Sequence, residues 1–189
     1  MKVRVNVGCG QTPTPGWRNF DNSFTLRLAG WPLAAGAAAR LGFLDGGQRG
    51  YLEFLRSSGV AWADATRRIP LKDGAADVVY TSHMVEHLDR DEAADFLAEA
   101  RRVLCEGGII RVAVPDVGLL IEKYLSHGDA DRFVEETFLA VPRKKGLLAR
   151  LKYSLVGSRN HLWMYDAQSL SAALARAGFH SSGHRFLKC

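Results

Sequence analysis

Short β-rich runs ending in turn residues alternate with helical patterns along this chain, and that alternation constrains its fold more than any other feature. Residues 3–7 run into Gly8-Cys9-Gly10, residues 17–20 lead to Asp21, residues 60–62 precede Asp64-Ala65, and residues 76–80 precede Thr81-Ser82-His83. A further strand is expected over 109–114, halted by Pro115-Asp116. Between them, Leu41, Leu44, Tyr51, Phe54 and Leu55 are spaced for two helices within 24–58, broken at Gly46-Gly47. Helical spacing also covers 91–104, stopped by Gly107-Gly108, and 168–177, ended by Gly178. Residues 179–187 read as a last strand. The pattern predicts an α/β, Rossmann-like doubly wound fold: a mostly parallel sheet with helices on both faces and ligands outside the carboxyl ends of its strands.

A chain of 189 residues, 47% apolar, is the size of one domain with a real core. A single domain over 1–189 is expected, with a helical insertion at about 24–58 and a lid at about 121–165. No apolar run approaches the roughly 18 residues of a membrane span; residues 28–39 are interrupted by Gly30 and Pro32. The first residues lack a secretory pattern, so a cytoplasmic location is expected. Cys9, Cys105 and Cys189 form no Cys-x-x-Cys pair, which argues for reduced thiols and against a thiolate zinc site. The net charge of +5 is partly local, in Arg143, Lys144, Lys145, Arg150, Lys152 and Arg159. Such a run suits either a solvated face or an anionic partner.

In a parallel sheet the four turns lie along one edge, so a glycine loop, two carboxylates and a polar turn can line one elongated cleft. The blocks VNVGCG (5–10), PGWRNFD (15–21), ADATRRIPLKDGAADVVYTSHMVEHL (63–88), EARRVLCEGGIIRVAVPD (99–116) and HLWMYDAQSLSAALARAGF (161–179) make the chain resemble the class I S-adenosylmethionine (SAM)-dependent methyltransferases related to the type 11 group. The resemblance implies SAM as cofactor and S-adenosylhomocysteine as product. It implies that Gly8, Cys9 and Gly10 approach the methionine part, that Asp21 accepts from the ribose hydroxyls, and that Asp64 and Ala65 meet adenine. Ser82 and His83 are then placed beside the methionine moiety. Asn6 departs from the acidic residue common in the first motif. Thirteen positions separate Gly8 from Asp21, against about 20 in dinucleotide folds, so the first crossover helix is expected to be missing or very short.

Two rivals keep parts of this pattern. His83-Met84-Val85-Glu86-His87 spells H-x-x-E-H, a zinc-hydrolase signature whose ligands sit at helical spacing; its third ligand is unidentified and its start falls at a strand end, so no metal is assigned. A fold-retaining, non-catalytic binding module is the other. Asp21 and Asp64 also suit turn-capping, and Asp77 suits a structural duty.

Methyl transfer to an oxygen or nitrogen needs a group to take the acceptor's proton, and His161, in the linker implied to cover the acceptor side, is the first choice ahead of His83 and His87. A histidine that merely holds its loop is an equal reading. The expected acceptor is a small molecule or glycan. No DNA partner is expected and RNA is least favoured. The basic, leucine-rich stretch 143–155 is compatible with peripheral membrane contact. The chain is compatible with lacking the fold's last antiparallel strand, which would leave an edge suited to a homodimer.

Overall fold

The computed structural model describes residues 2–31, 33, 36, 40, 46–140 and 160–180. Five strands form one parallel sheet: β1 (Arg4–Val7), β2 (Arg18–Asp21), β3 (Ala61–Trp62), β4 (Ala76–Ser82) and β5 (Leu104–Ala113), in the order β3-β2-β1-β4-β5. The chain winds outward from β1 through β2 to β3, then returns to the other side of β1 for β4 and β5. That reversal puts the topological switch point between β1 and β4, where open α/β sheets bind ligands. The doubly wound, Rossmann-like class expected from the alternation is the class observed.

The helices are α1 (Phe24–Ala29), α2 (Gly46–Ser57), α3 (Arg90–Val103), α4 (Val117–His127), α5 (Ala130–Thr137) and α6 (Ala167–Arg176), with a three-residue 3-10 turn at Val85–His87. Their starts follow from local chemistry: Ser23, Asp89, Asp116, Asp129 and Asp166 each accept a hydrogen bond from a first-turn N–H. At α3 the side chain of Glu92 returns the bond to the Asp89 amide.

Two boundaries differ from the sequence reading, while Gly46 and Gly47 open α2 and the residues before them, 41–45, lie outside the described residues. β4 continues through Thr81 and Ser82 before turning. Helix α3 ends at Val103, and Gly107-Gly108 lie within β5 instead of stopping the helix. There the register jumps from Leu104 opposite Ala76 to Ile109 opposite Val78, a bulge that Gly107 permits with φ +70°. A side chain on Gly108 would come within 2.9 Å of the Cys105 carbonyl.

Residues 8–17 join the parallel strands β1 and β2 without a helix, as the short Gly8-to-Asp21 spacing predicts. Side chains do the holding. Asn6 and Asn19 are register partners on adjacent strands, both buried. Asn6 Nδ2 donates to Thr12 O and Thr14 Oγ1, while Asn19 accepts from the Thr14 N–H and donates to Thr14 O and Trp17 O. Asn6 thus serves the loop that replaces a crossover helix.

The main core gathers Val5, Val7, Phe20 and Val79 from the sheet with Phe96, Leu97, Ala100 and Val103 from α3. A smaller one joins Cys9, Leu26, Leu55 and Val60. Arg102 and Glu99 tie α3 to the β3–β4 connection: Glu99 Oε1 accepts from the Ile69 N–H at 2.7 Å, and Arg102 donates to Ile69 O, Leu71 O, Asp73 and Glu99. Asp77 is structural, accepting from the Val3 N–H at 2.6 Å.

Among the described residues no helix is long and apolar enough to cross a membrane. The basic stretch 143–155, Arg159, Leu41, Leu44 and residues 181–187 of the expected last strand lie outside the described residues.

Candidate functional site

The glycine loop leaves β1 at the switch point, and its shape is fixed by its neighbours. Gly8 N–H donates to Phe20 O at 2.9 Å, and Gly10 N–H donates to Asp21 Oδ2 at 2.9 Å. Gly8 and Gly10 have φ of +68° and +50°, left-handed conformations that glycine takes without strain. A Cβ on Gly8 would lie 2.5 Å from Met84 Cγ, so the loop after β1 abuts the turn after β4. Nothing lies within 4 Å of a Cβ built on Gly10. The backbone there faces open space that a side chain would begin to fill.

Asp21 is 9% exposed and uses both carboxylate oxygens: Oδ2 for Gly10, Oδ1 for the Ser23 N–H at 2.8 Å. Its carbonyl accepts from the Ala63 N–H at 3.1 Å, which sets the end of β3 beside the end of β2. Gly8, Cys9, Gly10 and Asp21 are therefore one hydrogen-bonded unit. Asp64 is arranged locally, Oδ1 accepting from the N–H and hydroxyl of Thr66 and Oδ2 lying 3.4 Å from Arg67 Nε. Ala65 is buried in the main core. Ser82 ends β4, half-buried, and His83 follows with φ +51° and an exposed side chain. Cys9 is buried, and burial together with the nearby Asp21 carboxylate pushes its thiol up to about 12. It stays protonated and is no nucleophile.

His161 is brought to this edge from far along the chain. The Leu162 and Trp163 N–H groups donate to Glu86 O, His161 N–H donates to Phe138 O, and Val117 N–H donates to Tyr165 O. The His161 ring is 9% exposed and lies 5.0 Å, centroid to centroid, from that of His87. Glu86, 1% exposed, stands between histidines: Oε1 is 3.2 Å from His83 Nδ1 and 4.0 Å from His161 Nε2. Burial lowers the pKa of His161, outweighing the opposing pull of the Glu86 carboxylate.

The sequence reading named His161 and His83 but assigned no role to Glu86, and it ranked His87 second. The H-x-x-E-H string is the sequence signal for this group, and its start at the end of β4 already spoke against two ligands at helical spacing. Val85–His87 is a 3-10 turn and His83 stands outside it with positive φ, so His83 and His87 do not form the helical pair. Instead Glu86, His87 and His161 each offer one ligand atom within 4.8 Å of the others. A separate cavity of about 530 Å³ opens between α1, α2 and β3, lined by Leu26, Arg27, Trp31 and Trp62. None of the expected cofactor residues lines it.

Residues 48–112 match a family model described as a methyltransferase domain. That span includes Asp64, Ala65, Ser82 and His83 and excludes the glycine loop and Asp21. No curated protein matches the chain. Among solved structures, a SAM-dependent methyltransferase of Thermotoga maritima, described as a possible histamine N-methyltransferase, is 18% identical with a TM-score of 0.55, covering 96% of this chain and 65% of its own. A TehB-like SAM-dependent methyltransferase of Corynebacterium glutamicum is 15% identical with a TM-score of 0.36, covering 70% and 64%. The chain thus spans somewhat under two thirds of the length of these proteins. Residues 48–112 thus resemble a methyltransferase domain, and the chain shares the Rossmann-like fold of the Thermotoga maritima protein.

Proposed function

We propose that this chain moves a methyl group from SAM to an oxygen or nitrogen atom of a small-molecule or glycan acceptor. The observation that carries the reading is the Gly8–Gly10 loop at the switch point, locked to Asp21 and open at Gly10. SAM supplies a methyl group already activated by a positive sulfur, so the protein's work is binding, orientation and exclusion of water. Gly8, Cys9 and Gly10 take the methionine part, with Ser82 and His83 on its other side. Each Asp21 oxygen accepts one backbone N–H and keeps capacity for a ribose hydroxyl. Asp64 and Ala65 serve the adenine.

In the metal-free protein His161 is the base. Burial lowers its pKa, which favours the neutral imidazole. A lone pair is then available to take the acceptor's proton.

Calorimetric titration with SAM and S-adenosylhomocysteine tests the cofactor assignment, with Asp21→Ala expected to weaken both at least about tenfold, the loss of one good hydrogen-bonding group. Release of S-adenosylhomocysteine in the presence of candidate acceptors tests turnover. A wild-type protein that binds neither compound refutes the reading; one that binds without any turnover is the non-catalytic module.

A further inference from the structure

We infer that Glu86, His87 and His161 bind one divalent transition-metal ion of the zinc class. The inference shares His161 with the reading above but does not depend on SAM. It begins from a buried polar atom: among the described residues Glu86 Oε2 has no hydrogen-bond partner, and His161 Nε2 faces the same carboxylate, 4.0 Å from its Oε1. Glu86 is 1% exposed and His161 9%. A carboxylate removed from water with one oxygen unmet is destabilising unless a positive charge meets it. The nearest histidine nitrogen, His83 Nδ1, reaches only Oε1.

His87 supplies the second line of argument. Its Nδ1 lies 3.0 Å from the carbonyl oxygen of Asn160, an acceptor only, so Nδ1 carries the proton and Nε2 is left with a lone pair. Donation of the far ring N–H to a backbone carbonyl is the arrangement that prepares a histidine to ligate a metal. One carboxylate and two neutral imidazoles make the donor set of zinc sites that keep a fourth position open, and they suit other late first-row divalent ions more than magnesium or calcium. The three ligand atoms lie within 4.8 Å of one another. Bonds of about 2.0–2.1 Å to a tetrahedral ion would place them about 3.4 Å apart, a closure that rotation of three side chains supplies.

The site joins the turn after β4 to the segment that carries His161. With the ion bound, His161 is a ligand and no longer a free base, and the open coordination position polarises an acceptor oxygen or nitrogen directly.

Protein stripped with a chelator and titrated with Zn²⁺ against a chromophoric competitor tests this. Wild type is expected to take one equivalent; Glu86→Gln, His87→Ala and His161→Ala should each bind at least tenfold more weakly, and exposed His180→Ala as tightly as wild type. No stoichiometric binding by wild type, or unchanged binding in the three variants, overturns the site. Should a variant fail to fold, Co²⁺ added to wild type still decides: intense visible bands of a four- or five-coordinate ion support the site, and the weak spectrum of the hydrated ion overturns it. SAM titrated into the same samples separates the two readings, because SAM binding without zinc removes only the metal site, and zinc without SAM removes only the methyltransferase.

Discussion

The carboxylate of Asp21 at the end of β2 holds the backbone N–H of Gly10 at 2.9 Å, so the acidic residue shapes the glycine loop. Replacing it does two things at once. Asp21→Ala orphans the Gly10 and Ser23 amides and should lower stability by about 1–3 kcal/mol, besides weakening SAM. Asp21→Asn, which accepts through one oxygen only, should fall between wild type and Asp21→Ala in both respects. Urea unfolding beside calorimetry separates the effects.

Gly8 and Gly10 should differ when each is changed to alanine. Both pay the left-handed backbone cost of about 1–2 kcal/mol, but only at Gly8 does the new Cβ strike Met84 Cβ and Cγ, at 2.8 and 2.5 Å. Gly8→Ala should therefore lose about 3 kcal/mol in total. Gly10→Ala should lose about 1 kcal/mol while impairing SAM binding by filling open space. Equal unfolding midpoints for the two variants would contradict this account.

Cys9 should resist alkylation in the folded protein at pH 8. Its thiol is buried and its pKa is pushed up to about 12 by burial and by Asp21, which leaves almost no thiolate. Cys105, only partly buried, should react before Cys9. Peptide mapping after a short iodoacetamide exposure reports the order.

Glu99 and Arg102 make acid sensitivity predictable. Burial disfavours the Glu99 carboxylate, but hydrogen bonds from Arg102 and the Ile69 N–H, with the Arg102 charge, outweigh it and hold the pKa below the ordinary carboxyl value. The stabilisation is complete above the unfolded pKa, about 4.3, and is lost as pH falls through the lower folded value. Glu99→Gln should cost about 3 kcal/mol at pH 7, the loss expected when one partner of a buried pair is removed. The gap to wild type should narrow below about pH 4; thermal melts across pH 3–7 measure it.

Local chemistry was legible in the sequence. Strands β1, β2, β3 and β4 fall where β-rich runs meet Gly8, Asp21, Asp64 and Ser82, and the alternation with helices specified a parallel, doubly wound sheet because few other arrangements bury both elements. The thirteen-position step from Gly8 to Asp21 already excluded a full crossover helix. Periodicity failed at Gly107-Gly108, since a glycine pair reads as a helix stop whereas here it makes a bulge inside β5.

The rest needed the tertiary structure. That Asn6 and Asn19 replace the missing helix depends on β1–β2 register, which sets which side chains face the loop. The meeting of Glu86 and His87 with His161 depends on residues 160–165 docking through backbone hydrogen bonds onto the turn after β4. The sequence determined residue types and local turns, because those follow from short-range sterics and hydrogen bonding. Only folding decided which residues seventy-odd positions apart share one buried site, because that is a property of how the segments pack.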